Sequence, residues 1–259
     1  MLSTELSDRL ANLELSDWLL LIVAPFIGSF LGVLIRRLPE SRPIGWTRST
    51  CDACGATLSA GELLPLVSWL WLGGRCRHCG HLLGWFYPGI ELGAAAVAAI
   101  SIIVDGAAQA WLDCLLGWWL LTLAWIDLRH WVLPDPLTLP LLVLGLVAAA
   151  AWDSNSLADR VAAVALGYIA LRGIAWAYRR LRRREGLGEG DAKLFGAAGA
   201  WLGTAALPQV VLLAALAALA AAAGAGLAGI RLRTHSALPF GPFLAVAIWV
   251  IWLFGPMPV

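Results

Sequence analysis

Residues 188–194 read Gly-Glu-Gly-Asp-Ala-Lys-Leu, and they place an ionisable carboxylate, Asp191, where an apolar helix should begin. Gly188 and Gly190 lack a Cβ, so the backbone before Asp191 can adopt conformations closed to other residues and can lie close to another chain. The stretch therefore predicts an acid held at the end of a membrane helix, with Gly188, Gly190 and Lys193 in its supporting loop.

The composition of the whole chain indicates a membrane protein. Of its 259 residues, 60% are hydrophobic and 14% are charged, and the mean hydropathy is +0.79. A chain of this composition is too apolar for an ordinary soluble domain. It is typical of an all-α polytopic membrane protein, which has the lipid bilayer as a partner. No basic patch large enough to suggest a nucleic-acid partner stands out.

Apolar runs near the length of about 20 residues that a bilayer requires predict about eight transmembrane helices. They lie near residues 18–35, 88–104, 108–126, 136–152, 158–177, 192–207, 209–230 and 238–254. The sixth is short and carries Gly199 and Gly203 four residues apart, a spacing that lets two helices approach closely. These runs divide the chain into an acidic segment with the first helix (1–35), a loop domain (36–87) and a seven-helix membrane domain (88–259).

Basic residues are unequally distributed between the connecting loops. Most of the 18 Lys and Arg residues fall on alternate loops, namely Arg36, Arg37, Arg42, Arg48, Arg75, Arg77, Arg129, Arg179, Arg180, Arg182, Arg183, Arg184, Lys193, Arg231 and Arg233. The opposite loops are mainly acidic, with Asp105, Asp153 and Asp159. Because cytoplasmic loops carry an excess of Lys and Arg, this predicts an N-terminus outside, with Asp127 and Asp191 at the cytoplasmic face.

Four of the five cysteines form two Cys-x-x-Cys pairs in the loop domain, Cys51 with Cys54 and Cys76 with Cys79. A glycine follows each pair and permits a tight turn. This pattern is typical of a tetrahedral zinc site, and four thiolates would close it, so a structural metal is predicted. Redox dithiols or disulfides are the alternative, which a cytoplasmic location disfavours. The fifth cysteine, Cys114, is predicted to be a packing residue of an apolar helix.

Asp127 is the natural partner of Asp191, because it ends the third predicted helix on the same side of the membrane. Acids at membrane depth are usually functional. Two close carboxylates do not both ionise easily, so one can hold a proton while the other acts as a base. Such a pair could activate a water against a peptide carbonyl, which is aspartyl proteolysis at a membrane surface. No His-Glu-x-x-His or Gly-x-Ser-x-Gly motif supports another hydrolytic mechanism.

Helix capping is the alternative for these acids taken one at a time. Asp191 could be merely an N-cap, and Asp135, which precedes Pro136, is predicted to be one. If the two acids act as a pair and share one proton, the helix ends predict which acid holds it. Asp191 at a helix N-terminus would be ionised, and Asp127 at a helix C-terminus would be protonated.

Further motifs run through most of the chain in a fixed order. They are Gly28-Ser-Phe-Leu31 with Arg37-Leu-Pro39, the two cysteine pairs, Pro65-Leu66 with Ser68, Arg75-Cys76-Arg-His-Cys79-Gly80, Tyr87-Pro88 with Glu91-Leu92, Ile126-Asp127, Leu133-Pro-Asp135 with Leu137-Thr-Leu-Pro140, and Gly188-x-Gly-Asp-x-Lys-Leu194. In this order they resemble the landmarks of the bacterial type IV prepilin peptidase family, also called leader peptidase and N-methyltransferase. The Gly-x-Gly-Asp signature alone would be modest evidence, but the whole series is specific.

The resemblance implies a multi-pass aspartic endopeptidase of the bacterial inner membrane. Its partners would be prepilins or type II secretion pseudopilins, which lose a short leader at the cytoplasmic membrane edge, and its catalytic acids would be Asp127 and Asp191. The resemblance also implies methylation of the new N-terminus with S-adenosyl-L-methionine. The family often has Asn where this chain has Gly32, a departure that bears on methylation and leaves proteolysis untouched.

Two other interpretations stay open at this point. The chain could be a non-enzymatic assembly factor of a pilus or secretion system, in which the cysteine loop binds a partner and the acids are structural caps. It could also be a family member that cuts its substrate without methylating it.

Overall fold

The computed structural model describes residues 13–45, 48–152, 156–183, 186–228 and 238–256 and, for residues 107 and 108, the backbone alone. Part of the predicted acidic N-terminal segment lies outside the described residues. Asp153 also lies outside them, as do three of the basic residues predicted to be cytoplasmic, namely Arg184, Arg231 and Arg233.

The described residues form nine α-helices. They are α1 (Leu15–Arg37), α2 (Val67–Trp71), α3 (Phe86–Asp105), α4 (Ala107–His130), α5 (Asp135–Trp152), α6 (Leu157–Arg182), α7 (Glu189–Leu202), α8 (Leu207–Leu227) and α9 (Gly241–Phe254). All but the short α2 coincide with the eight predicted runs, which confirms an all-α polytopic architecture. The cysteine loop lies between α1 and α3, as predicted.

Two of these helices are shorter than the predicted spans. Six, α1, α3, α4, α5, α6 and α8, are long and apolar enough to cross a membrane. Helices α7 and α9 have 14 residues each, or about 21 Å against a hydrocarbon core of about 30 Å. Helix α7 stops early because Gly203 takes φ +83° at its C-cap. Helix α9 starts late because Pro242 occupies its first turn.

Helix α1 shows how the apolar residues divide between protein and surroundings. One stripe of its surface is buried, and it consists of Leu20, Ala24, Gly28, Leu31 and Ile35. Another stripe of large apolar side chains is more than half exposed, and it consists of Leu19, Ile22, Phe26 and Phe30. Exposed apolar side chains at helical spacing suit contact with lipid hydrocarbon.

The chain forms two compact units, residues 1–122 and 123–259. In the first unit, α1 packs against α3. The contact is closest at Gly28, where an added Cβ would lie 2.6 Å from the Cα of Glu91. The helices can therefore meet at this point only because residue 28 has no side chain.

In the second unit, α7 is the central helix. It packs against α5, α6 and α9, and from Asp191 to Trp201 every residue except Lys193 is buried. Its alanines and glycines allow this, as predicted for Gly199, where an added Cβ would lie 2.5 Å from the backbone carbon of Ala163 in α6. Helix α7 is thus surrounded by protein, which explains how a short helix can lie inside a membrane protein.

We expect Gly199→Ala to destabilise the second unit by about 1–3 kcal/mol, because the new methyl group has no room against α6. Gly224→Ala in α8 is the matched control, since a Cβ there meets nothing within 4 Å and alanine favours a helix over glycine by about 0.5–1 kcal/mol. Thermal unfolding of the two variants in detergent measures the difference. Equal midpoints would contradict the tight packing of α6 on α7.

Candidate functional site

Asp127 lies in the last turn of α4, and its side chain is held by a distant part of the chain. The residue is 6% exposed. Its Oδ2 atom accepts a hydrogen bond of 3.0 Å from the backbone N–H of Gly241, at the start of α9. An added Cβ on Gly241 would lie 2.6 Å from that same oxygen. The start of α9 therefore both supplies the donor for Asp127 and requires glycine beside it.

Asp191 is the third residue of α7 and is 8% exposed. Its Oδ2 atom accepts a hydrogen bond of 3.1 Å from the backbone N–H of Gly188. The alternative prediction that Asp191 is the N-cap is wrong, because the N-cap is Gly188, and the Asp191 side chain bonds back to its N–H from the third helical position. The Asp191 side chain also lies close enough to Asp127 for the two carboxyl groups to interact electrostatically. The second unit therefore brings together the two acids that the sequence singled out.

The hydrogen bonds around the two acids are nearly equivalent. Each carboxyl group accepts one backbone N–H through one oxygen, at 3.0 Å for Asp127 and 3.1 Å for Asp191. Such bonds favour the ionised form of a carboxyl group. They therefore do not distinguish which of the two holds a shared proton, and the division of the proton by helix ends stays a prediction.

The glycines of the 188–194 stretch have separate structural roles. Gly188 donates its N–H to Asp191. Gly190 faces the loop before α5, where an added Cβ would lie 2.7 Å from the Cβ of Leu133. The close approach predicted for this stretch is thus made to another segment of the protein.

Lys193 joins the first turns of two helices. Its Nζ atom lies 2.7 Å from Oδ1 of Asp135 in α5 and 3.7 Å from Oε1 of Glu189 in α7. The prediction that Asp135 is an N-cap is wrong, because Asp135 is itself the first residue of α5 and its carboxylate binds Lys193. This ion pair fixes the start of α7 against the start of α5.

Gly241 is the site residue that the sequence did not single out. The available signal was the Gly241-Pro242 pair at the start of the last apolar run, since proline favours the first turn of a helix. Nothing in that local pattern connects Gly241 with Asp127, which lies 114 residues away along the chain.

The four cysteines of the first unit also converge. One ligand atom from each of Cys51, Cys54, Cys76 and Cys79 lies within 4.8 Å of all the others. The two Cys-x-x-Cys-Gly turns, or knuckles, have the same backbone conformation. Gly55 and Gly80 both take φ +70°, and each donates its N–H over 2.9 Å to the carbonyl of the first cysteine of its pair. The glycine turns predicted from the sequence are confirmed, and all four cysteines are free thiols.

This donor set fits a metal ion. The Sγ atoms of Cys51 and Cys79 are 4.0 Å apart, against about 3.8 Å for a tetrahedron with metal–sulfur bonds of about 2.3 Å. The N–H groups of Cys54 and Ala53 lower the pKa of Cys51 to about 7. The N–H of His81 acts in the same sense on Cys79, but burial and the neighbouring sulfurs raise its pKa to about 11. Four adjacent sulfurs therefore do not ionise together without a compensating cation.

Two family models, both of leader peptidases, match the chain. The type IV leader peptidase family matches residues 114–223, and the bacterial peptidase A24 N-terminal domain matches residues 22–104. No solved structure matches the chain.

Curated relatives match the chain over nearly its whole length. It is 39% identical over 265 residues to a prepilin leader peptidase/N-methyltransferase of Aeromonas hydrophila, covering 92% of this chain and 90% of the relative. A relative of the same name from Pseudomonas aeruginosa is 35% identical over 264 residues, covering 91% of this chain and 89% of the relative. One from Burkholderia pseudomallei (strain 1026b) is 39% identical over 261 residues, covering 91% and 84%.

Proposed function

This chain belongs to the type IV leader peptidase family, and on that premise we propose that Asp127 and Asp191 are its catalytic pair. It is a membrane enzyme that removes the leader peptide of type IV prepilins and methylates the new N-terminus, in keeping with its family and with the name prepilin leader peptidase/N-methyltransferase of its relatives. The observation that carries the assignment of the pair is the burial of two interacting carboxyl groups in one unit. Pseudopilins of type II secretion are proposed as further substrates.

The chemistry of the pair follows from one shared proton. The ionised carboxylate removes a proton from a water molecule, whose oxygen attacks the carbonyl carbon of the scissile peptide. The protonated carboxyl group donates its hydrogen bond to the carbonyl oxygen as that oxygen becomes negative. A proton then passes to the amide nitrogen, the C–N bond breaks, and a new carboxyl group and a new N-terminal amine leave.

The location of this reaction rests on the charge pattern. The basic residues of alternate loops support an N-terminus outside and an active site at the cytoplasmic face of the bacterial inner membrane. Domain limits at residues 35/36 and 87/88 remain part of this proposal. They would separate the cysteine loop from the membrane helices.

The four-cysteine cluster is proposed to hold one structural zinc ion. Four thiolates would fill all positions of a tetrahedral zinc, so this metal would supply no open site for water or substrate. Its contribution would be to cross-link the two knuckles of the loop. S-adenosyl-L-methionine is proposed as the second co-substrate, consumed in the methylation.

We expect Asp127→Asn and Asp191→Asn each to lower prepilin cleavage by about 10²- to 10⁴-fold, because each removes a positioned acid or base. Asp105→Asn, at an exposed position in α3, is the matched control and should cleave like wild type. Product masses from purified enzyme and prepilin in detergent measure all three. Cleavage retained in either dyad variant would favour the non-enzymatic assembly factor or another catalytic group.

Gly241→Ala is expected to lower kcat by about 10²-fold with little change in KM, since a displacement of about 1 Å at a reacting group has this cost. The new Cβ would displace the Asp127 carboxyl group while leaving substrate contacts elsewhere intact. Gly173→Ala in α6, where a Cβ meets nothing within 4 Å, is the control. A parallel rise in KM, or a loss of protein stability that accounts for the whole effect, would argue against a positioning role.

Metal analysis of the purified protein should give about one zinc per chain if four thiolates close one site. Cys54→Ser should lose most of that zinc, because three thiolates and a hydroxyl bind it more weakly. Cys114→Ala should keep the zinc, since Cys114 is a buried residue of α4 outside the cluster. A metal-free wild type with full activity would remove the zinc proposal.

A further inference from the structure

The short helix α2 and the turn before it present an exposed apolar surface in the cysteine loop. Its large side chains are between 42% and 85% exposed, and together they form the α2 face: Leu63, Leu64, Val67, Leu70 and Trp71. Val67 is three residues from Leu70 and four from Trp71, so these side chains share one side of the helix. Residues 63–74 contain no charged side chain. A contiguous exposed apolar surface of this kind marks a site of interaction.

The depth of the α2 face follows from the neighbouring helix α3. Helix α3 has 20 residues, a length of about 30 Å, which matches a hydrocarbon core of about 30 Å. It can therefore cross a membrane only if its first residue, Phe86, lies at the edge of that core. Glu91 is in the second turn of α3, so it lies about 7 Å inside the edge at about 1.5 Å per residue.

Helix α2 is attached to this same end of α3. At its start, the backbone N–H of Leu66 donates to Oε2 of Glu91 over 2.8 Å. At its middle, Nε1 of Trp69 donates to the carbonyl of Gly84 over 3.0 Å, and the Trp69 and Trp85 ring centroids are 4.4 Å apart. Helix α2 thus begins at the depth of Glu91 and follows α3 back to the edge of the core.

Glu91 gives a reason for α2 to remain at this depth. An acid inside the hydrocarbon region is costly unless it is paired and turned away from lipid. Glu91 is 5% exposed, and the N–H of Leu66 is one of its donors. Leu66 takes φ +59°, which costs free energy for a residue with a side chain. The bond to Glu91 offsets this cost, so the turn and the acid stabilise each other.

We propose that the α2 face lies in the membrane interface and contacts the lipids of the leaflet that surrounds the first turns of α3. Ten apolar residues, 63–72, are too few to cross a bilayer but can lie in its interface. Tryptophan is enriched at this level of a membrane. The proposal rests on α1 and α3 being membrane spans, and it stands whether or not the two acids of the second unit are catalytic.

The charge of the surrounding loop suits the same occupant. Residues 36–85 contain six arginines and three acids, and an excess of positive charge beside a membrane is attracted to anionic lipid headgroups. The cysteine loop would then be attached to the bilayer at a third point, between the end of α1 and the start of α3. A second copy of this chain or an apolar segment of a substrate would need no such depth, so the lipid leaflet is the favoured occupant.

Lipid photolabelling of the full-length protein tests this contact. The protein is reconstituted in vesicles of phosphatidylethanolamine and phosphatidylglycerol that contain some phosphatidylcholine with a diazirine on its acyl chain, irradiated and digested for mass analysis. We expect lipid adducts on the peptide with residues 67–72, at a yield similar to that of the α1 peptide with the lipid-facing residues Phe26 and Phe30. The peptide of the first knuckle, residues 51–57, should carry none.

Two charge variants make the test specific. Trp71→Asp should lower the adduct yield on α2 by about tenfold or more, because a carboxylate is strongly disfavoured at membrane depth. Thr57→Asp is the matched control, since it adds the same charge at an exposed polar position of the same loop and should leave that yield unchanged. Both variants should keep the wild-type unfolding midpoint, because Trp71 is 85% exposed.

The labelling of the wild type decides the proposal whether or not a variant folds. An unlabelled α2 peptide beside a labelled α1 peptide would overturn it, and cross-links between two α2 peptides would then assign the face to a second copy of the chain. Equal labelling of α2 and the first knuckle would also overturn it, because the loop would have no specific membrane face. Prepilin cleavage is not read in this experiment, so its failure leaves the proposed catalytic pair untouched.

Discussion

The second unit depends on keeping two carboxyl groups close together inside an apolar protein. Removing a carboxylate from water costs several kcal/mol, and a second negative charge nearby adds to that cost. The surroundings of Asp127 and Asp191 offset this cost with backbone N–H groups, one from Gly241 and one from Gly188. Main-chain donors bring partial positive charge without a side chain, so they stabilise the pair without adding bulk beside it.

That arrangement explains why the central helix is short and built of small residues. Asp191 must lie at an N-terminus, where free N–H groups are available, and that end must be buried beside Asp127. A helix of alanine and glycine, such as α7, can be packed on several sides, because its neighbours approach its backbone closely, as α6 does at Gly199. The ion pair of Lys193 with Asp135 then fixes the position of this end.

The sequence predicted those features that depend on local pattern and failed at those that depend on distant contacts. Cysteine spacing alone indicated the cluster, and apolar runs located every described α-helix except the five-residue α2. Run length could not distinguish a helix that faces lipid from α7, which faces protein, because both are apolar. Gly241 was missed for another reason. Its importance comes from its bond to Asp127, a distant contact that local sequence does not reveal.

The first unit contains a loop that is ordered without a hydrophobic core of its own. Among the described residues between 38 and 85, burial is limited to Cys51, Pro65, Gly74 and Cys76. A segment of this kind needs cross-links to adopt one structure. The cysteine cluster would supply one on binding the proposed metal, and the bond from Leu66 to Glu91 supplies another. Two of the four buried residues, Cys51 and Cys76, are also ligands of the proposed metal, so the loop would be ordered around the metal site in place of an apolar core.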